Sequence, residues 1–330
     1  MDLKQLGNSE VDVTPIAFGA WAIGGWMWGG ADEAEAIKAV QTAVDLGMTT
    51  IDTAAVYGYG KSECLIGKAL REVPRDRYQI LTKYGLNWET DDGEFHFESQ
   101  DEEGNPRNIY RWASKDRVKE ECEESLRRLD TDYIDLYQIH WPDPTTPISE
   151  TMEAVTELIE EGKVRAAGVC NYSAEQVEEA LETIELASNQ VPYSLVNRGI
   201  EDDLIPQAIE KGMHILPYSP LQRGLLTGKF NPGHTFSGYD TRKNSSYFTD
   251  ENIRRVNNLL DKMKPIAETY GATFAQLVIN WTANREGIGC VLVGARNEQQ
   301  VRDNIGAMEF ELTEEEIKRI TRYADEFSLA

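Results

Sequence analysis

The chain has 330 residues, 41% of them hydrophobic and 27% charged, which excludes a mini-protein, a coiled-coil rod and a low-complexity chain. Asp and Glu number 57 against 33 Lys and Arg, a formal charge of −24, so no general affinity for nucleic acid or an anionic membrane is expected. The four cysteines, Cys64, Cys122, Cys170 and Cys290, stand far apart without C-x-x-C spacing, as reduced thiols do, and the N-terminus shows no basic-then-apolar leader; a cytoplasmic location is expected.

In chain order, apolar pieces at 3–6 and 11–13 flank a Gly-Asn-Ser turn and predict a hairpin placed to plug the bottom of whatever follows. Short apolar segments at 15–20, 49–52, 78–83, 133–140, 164–169, 190–193, 214–218 and 289–293 predict eight strands. Between them, helical spacing marks 32–46, 61–70, 114–128, 149–160, 173–186, 203–211 and 249–270. In the fifth of these, Val177, Leu181 and Ile184 form one face, and Glu178, Glu179 and Glu182 the other. Alternation of this kind implies parallel βα units, and with no linker or topological reversal visible it closes most simply as an α/β fold of one domain over 1–330: a single (β/α)8 TIM barrel. Beyond the last strand, Thr313 followed by Glu314, Glu315 and Glu316 starts an extra C-terminal helix running to about 327. Two long excursions, 84–113 and 219–250, both follow strands, where barrel loops carry function. The acidic, glycine-containing part of the first, 87–112, is expected to form a mobile flap or solvated loop.

Several motifs fail. Gly60-Lys61-Ser62 is no phosphate loop, because Ala55 stands where that motif needs glycine. The glycine-rich stretch at 24–30 lacks G-x-G-x-x-G spacing and carries Trp26, Met27 and Trp28, which suits the lining of an apolar pocket. His96, His140, His214 and His234 never approach metal-ligand spacing, and no metal is expected.

What remains is a set of ionisable residues at the ends of three successive strands: Asp52, Lys83 and His140, with Tyr57 on the loop after Asp52. Singly, each has an ordinary explanation as a turn cap, a solvated lysine or a hydrogen-bonded core histidine. Jointly, barrel geometry brings them to one mouth. Lys83 beside the Tyr57 phenol would lower its pKa from about 10, Asp52 would hold Lys83 charged, and a neutral His140 could donate a hydrogen bond to a substrate carbonyl.

At these residues the sequence resembles the aldo-keto reductase superfamily over essentially its whole length. The resemblance is carried by DTAAVYGYGKSE at 52–63, LTKYG around Lys83, YIDLYQIHWPDP at 133–144, GKVRAAGVCNYS at 162–173, PYSPLQRGLLTGKF at 217–230 and VGARNEQQVRDNIGA at 293–307. It is most similar to the bacterial branch of general stress proteins, which is related to potassium-channel beta subunits. The resemblance implies NADPH-dependent, reversible reduction of an aldehyde or ketone, with Asp52, Tyr57, Lys83 and His140 matching the catalytic tetrad. It also implies that Asn171 and Gln190 bind the carboxamide, Tyr218 stacks on the nicotinamide, and Trp21 lies on the cofactor side. Cys170 stands where many members have serine. Ser219, Leu221, Gly224, Lys229 and Arg242 match the diphosphate region, and Gly294, Arg296, Gln300, Asp303 and Asn304 the adenosine half. The Arg296 guanidinium favours a 2′-phosphate, hence NADPH over NADH, unless it merely pairs with Glu298. Trp26, Trp28, Trp88 and Trp141 are expected to line the pocket of a small-molecule carbonyl substrate. An alternative from the same kinship is an NADPH-binding, redox-sensing accessory subunit with little turnover. Nothing in the sequence determines an oligomeric state.

Overall fold

The computed structural model describes residues 1–25, 32–101, 103–236 and 240–330. The opening hairpin pairs Lys4–Gln5 with Asp12–Val13. Its Leu6, Val11 and Val13 are fully buried against Ala17, Leu81, Leu136, Ala166, Ala187, Leu216, Cys290 and Leu292, the side chains that fill the barrel interior. Each such burial contributes roughly 1.5–3 kcal/mol, enough to make the hairpin a fixed floor. The turn at Gly7 has φ +57, a conformation that suits glycine, and its amide donates to His214 Nδ1 at 2.8 Å, tying the hairpin to the seventh barrel strand.

The barrel strands are Ile16–Gly19, Thr50–Asp52, Gln79–Tyr84, Ile134–Ile139, Val164–Cys170, Leu186–Pro192, His214–Tyr218 and Val291–Gly294. All eight run parallel, in the order seventh, sixth, fifth, fourth, third, second, first, eighth. The ring closes between seventh and eighth through a parallel bridge, Ile215 to Ile288, in which Ile215 N donates to Gly287 O at 2.8 Å and Gly289 N to Ile215 O at 2.9 Å. The larger apolar layer lies between the strands and the surrounding helices. Parallel strands covered on both faces explain why the strand segments read as nearly continuous apolar runs.

Most helices start where their caps predicted. Ser173 caps Ala174–Leu181 and Thr313 caps Glu314–Asp325, each with a reciprocal capping box. Two expectations are corrected and one further helix was not anticipated. The fifth helix ends at Leu181, not 186, and the sixth strand begins at Leu186, because Ala167 pairs with Leu186 and Gly168 with Ser188; a strand buried on both faces carries no alternation to announce it. A helix at Phe274–Ala283 follows the left-handed Gly271 (φ +61) and opens on its own capping box, Thr273 with Gln276. The insert expected as a solvated flap is a three-stranded antiparallel sheet, with Pro106–Arg111 between Leu86–Asn87 and Glu94–Gln100. Its acidic composition masked the strand-forming run EFHFESQ, whose Phe97 sits opposite the fully buried Ile109.

Candidate active site

Asp52 ends the second barrel strand and Lys83 lies in the third, both facing inward where the interior passes from aliphatic floor to polar mouth. Lys83 Nζ donates to Asp52 Oδ1 at 2.7 Å and to the Thr53 carbonyl at 2.7 Å, and lies 3.5 Å from the Tyr57 hydroxyl. Lys83 is 1% exposed and Asp52 3%. Burial works against the Lys83 ammonium, but the Asp52 carboxylate, with Tyr57 and Cys170, outweighs it and holds the pKa above the ordinary lysine value. The amide nitrogen of Gln190 donates to the other Asp52 oxygen at 2.9 Å and to Gln138 Oε1 at 3.3 Å.

Tyr57 is pushed up to about 12, not lowered as the sequence suggested. Burial is the larger influence, and the nearby Lys83 charge only partly offsets it. The phenol is therefore protonated at neutral pH. Its ring meets His140 edge-on at 5.6 Å between centroids and Trp21 in a stacked arrangement at 6.3 Å. Burial, then the Lys83 and His96 charges, depress the His140 pKa well below the ordinary 6.5, so its imidazole is neutral. Trp88, Phe97 and Trp141 pack with Tyr57, Leu86 and Ile109 around the mouth. Trp26 and Trp28 lie outside the described residues.

Of the residues expected at the cofactor, Trp21 follows the first strand and the others lie in or after strands five to eight. Asn171, left-handed at φ +59 after Cys170, donates from Nδ2 to the His140 carbonyl at 3.0 Å and accepts from the Tyr218 hydroxyl at 3.0 Å. Cys170 is buried and its thiol is pushed up by burial. Ser219 (φ +55) starts a tightly turned segment with Gln222 (φ +47), Arg223 (φ +56) and Gly224 (φ +93). Leu221 packs on the core, and Lys229 is exposed. Arg242 is held by Asp240 through Nε and Nη2 and reaches the Arg223 carbonyl from Nη1 at 3.2 Å. Beyond the eighth strand, Gln300 Oε1 accepts from the Arg296 amide at 2.8 Å, Asp303 accepts from Gln299 at 2.8 Å, and Asn304 donates to the Gly294 carbonyl at 3.2 Å.

Arg296 does not pair with Glu298, which is taken by Lys38 at 2.8 Å and Arg302 at 2.5 Å. Its exposed guanidinium meets no carboxylate among the described residues. Gly294 is exposed, and a Cβ there would find nothing nearer than the Gly19 carbonyl at 4.0 Å, so the rim is open beside it. The side-chain amides of Asn171 and Gln190, the open backbone at Gly294 and the exposed Arg296 guanidinium are groups of the kinds that a nicotinamide dinucleotide would meet.

Two residues escaped the sequence reading. Gln138, two positions before His140 and so on the same inward face, supports Gln190; that period of two was the available signal. His96, on the insert, lies 5.1 Å from the Trp141 ring; no local pattern marks it. No three His, Cys, Asp or Glu side chains gather to hold a metal ion among the described residues.

Comparison with known proteins places the chain in a family. A sequence model of the Aldo/keto reductase family matches residues 15–325. The chain is 38% identical over 303 residues to aldo-keto reductase YhdN of Bacillus subtilis, covering 91% of this chain and 87% of that protein. It is 34% identical over 314 residues to the NADH-specific methylglyoxal reductase of Escherichia coli, covering 94% of each. Among solved structures, it superimposes on the glycerol dehydrogenase AKR11B4 of Gluconobacter oxydans with a TM-score of 0.87 at 37% identity, covering 98% of this chain and 94% of that one.

Proposed function

The chain belongs to the aldo/keto reductase family, and from that premise we propose that it is an NADPH-dependent reductase converting aldehydes or ketones reversibly to alcohols, with Tyr57 as proton donor. The reading is carried by one arrangement: a protonated phenol whose oxygen lies 3.5 Å from a buried ammonium, at a mouth shared with a neutral imidazole. A bound nicotinamide cofactor would supply the hydride. The protein's own part is to hold and move one proton and to place the carbonyl.

His140 donates an imidazole hydrogen bond to the carbonyl oxygen, polarising it and turning it toward Tyr57. As negative charge builds on that oxygen, Tyr57 hands over its phenolic proton, a favourable transfer because an alkoxide is a far stronger base than a phenolate. Lys83 stabilises the resulting phenolate, while Asp52, held by Gln190, keeps the ammonium charged and aimed. Asn171, Gln190 and Tyr218 form the nicotinamide side of the rim. Ser219, Leu221, Gly224, Lys229 and Arg242 are the diphosphate side, and Gly294, Arg296, Gln300, Asp303 and Asn304 the adenosine side. Trp21, expected with the cofactor, stacks on Tyr57, and Trp88 and Trp141 wall the carbonyl's side of the mouth.

The Arg296 guanidinium, which makes no ion pair among the described residues, supports NADPH over NADH, in contrast to the relative named as NADH-specific. The four free cysteines and the acidic composition support a cytosolic location. Tyr57→Phe tests the central assignment: it should bind NADPH as the parent does and lose about 10²–10⁴-fold in reduction of 4-nitrobenzaldehyde. Turnover near the parent rate would remove Tyr57 from its role. For the cofactor, a smaller dissociation constant for NADPH than for NADH is expected, and equal values would contradict the Arg296 argument.

A further inference from the structure

The insert after the third barrel strand carries an irregularity beside the mouth. In its pairing, Phe95 stands opposite Tyr110 and Phe97 opposite Ile109, so one step along Pro106–Arg111 is matched by two along Glu94–Gln100. His96 is the extra residue, a β-bulge. An unbroken pleat sends residues 96 and 97 to opposite faces; a bulge re-aims the side chain. Here Phe95, 50% exposed, turns away and meets Tyr110 on the outer face. Phe97 joins the mouth cluster that contains Tyr57, and the His96 ring lies 5.0 Å from Phe97 and 5.1 Å from Trp141. The bulge thus puts two consecutive side chains on the mouth side of the insert sheet.

Trp141 follows His140 directly, and a charge on His96 is felt at His140. The mouth therefore holds two imidazoles, one at a barrel strand end and one on the insert sheet. His96 is half-buried, and its ring nitrogens make no hydrogen bond with any described residue. In a wall built largely from Trp21, Trp88, Phe97, Ile109 and Trp141, the half-buried imidazole is thus a polar group whose hydrogen-bonding capacity is open to a ligand in the mouth.

Resting on the reductase reading above, we propose that His96 is a specificity-determining residue that hydrogen-bonds a second oxygen on the carbon beside the reacting carbonyl. The substrate class is then carbonyl compounds carrying a hydroxyl or a second carbonyl at the neighbouring position. His140 and Tyr57 take the reacting oxygen, and His96 takes its neighbour.

The experiment compares kcat/KM for glyceraldehyde with that for butanal, an unbranched aldehyde without the second oxygen, in the parent, His96→Phe and His96→Gln. The phenylalanine variant keeps a ring against Trp141, and its glyceraldehyde-to-butanal ratio should fall about tenfold, the net worth of one hydrogen bond between neutral groups. Glutamine, which restores a donor and acceptor, should recover most of that ratio. An unchanged ratio in His96→Phe, or a glutamine variant as low as phenylalanine, would overturn the proposal. Titration of each variant with NADPH, followed by fluorescence, establishes that it is folded. Failure of the underlying reading looks different: the parent protein would then reduce neither aldehyde, or Tyr57→Phe would reduce both as fast as the parent.

Discussion

Removing the Lys83 ammonium separates its chemical role from its structural one. In Lys83→Met the phenolate of Tyr57 loses a positive charge 3.5 Å from its oxygen. At an effective dielectric of about 20, two unit charges at that distance interact by about 5 kcal/mol, more than three pKa units. The phenol pKa, already about 12, rises further, because burial and the remaining Asp52 carboxylate now act unopposed. A fall in kcat of about 10²–10⁴-fold is expected, the range typical of losing general acid catalysis. The same change strands Asp52, 3% exposed, with Gln190 as its remaining side-chain donor, which should cost about 3–5 kcal/mol of folding stability. Asp52→Asn combined with Lys83→Met removes the orphaned charge and should regain much of that stability but none of the rate. Carbonyl-dependent NADPH oxidation at saturating cofactor, with urea unfolding on the same samples, measures both. A single variant with kcat within a factor of about three of the parent, or a double variant that regains kcat together with stability, would show that Lys83 is only a counter-ion.

Other outcomes follow from the same structure. His140 has a depressed pKa, so between its folded value and 6.5 the unfolded chain binds a proton that the folded chain does not. Its contribution is full above 6.5 and is lost on acidification, with a slope of at most about 1.4 kcal/mol per pH unit; His140→Asn should flatten stability between pH 5 and 7 relative to the parent, and parallel curves would contradict the assignment. Gly67 lies within the helix Lys61–Leu70, where alanine ordinarily stabilises, yet a Cβ there would stand 2.7 Å from the Arg128 carbonyl and 2.8 Å from that of Leu129. Gly67→Ala is therefore expected to cost about 1–3 kcal/mol, visible as a lower Tm, and a raised Tm would refute the contact. Of the four thiols, Cys64 is partly exposed and the rest are buried, so a thiol reagent should label one site promptly in the folded protein and all four after unfolding; prompt labelling of several would contradict the burial.

Much of the fold is legible in the chain itself. Helix caps are local, so Ser173 and Thr313 announce their helices without reference to anything distant. Alternating strand and helix segments leave one simple closure, and a barrel sends its strand ends to one mouth, so Asp52, Lys83 and His140 could be grouped before any coordinate was known. Where the reading went astray, the deciding contact lay far away in sequence. The start of the sixth strand at Leu186 depends on Ala167, and the insert's sheet depends on Phe97 meeting Ile109.

The electrostatics of the mouth belong wholly to the tertiary structure. Which residues approach Tyr57 could be expected from spacing; the sign of its pKa shift could not, because it is the difference between the desolvation of a buried phenol and the charge of a lysine 26 residues away. The same holds for Gln190, whose amide turns to Asp52 across the barrel, and for His96, aimed by a one-residue mismatch between paired strands. Periodicity is a property of neighbours along the chain and survives in the sequence, whereas a balance of opposing fields exists only once the groups that generate them have been brought together.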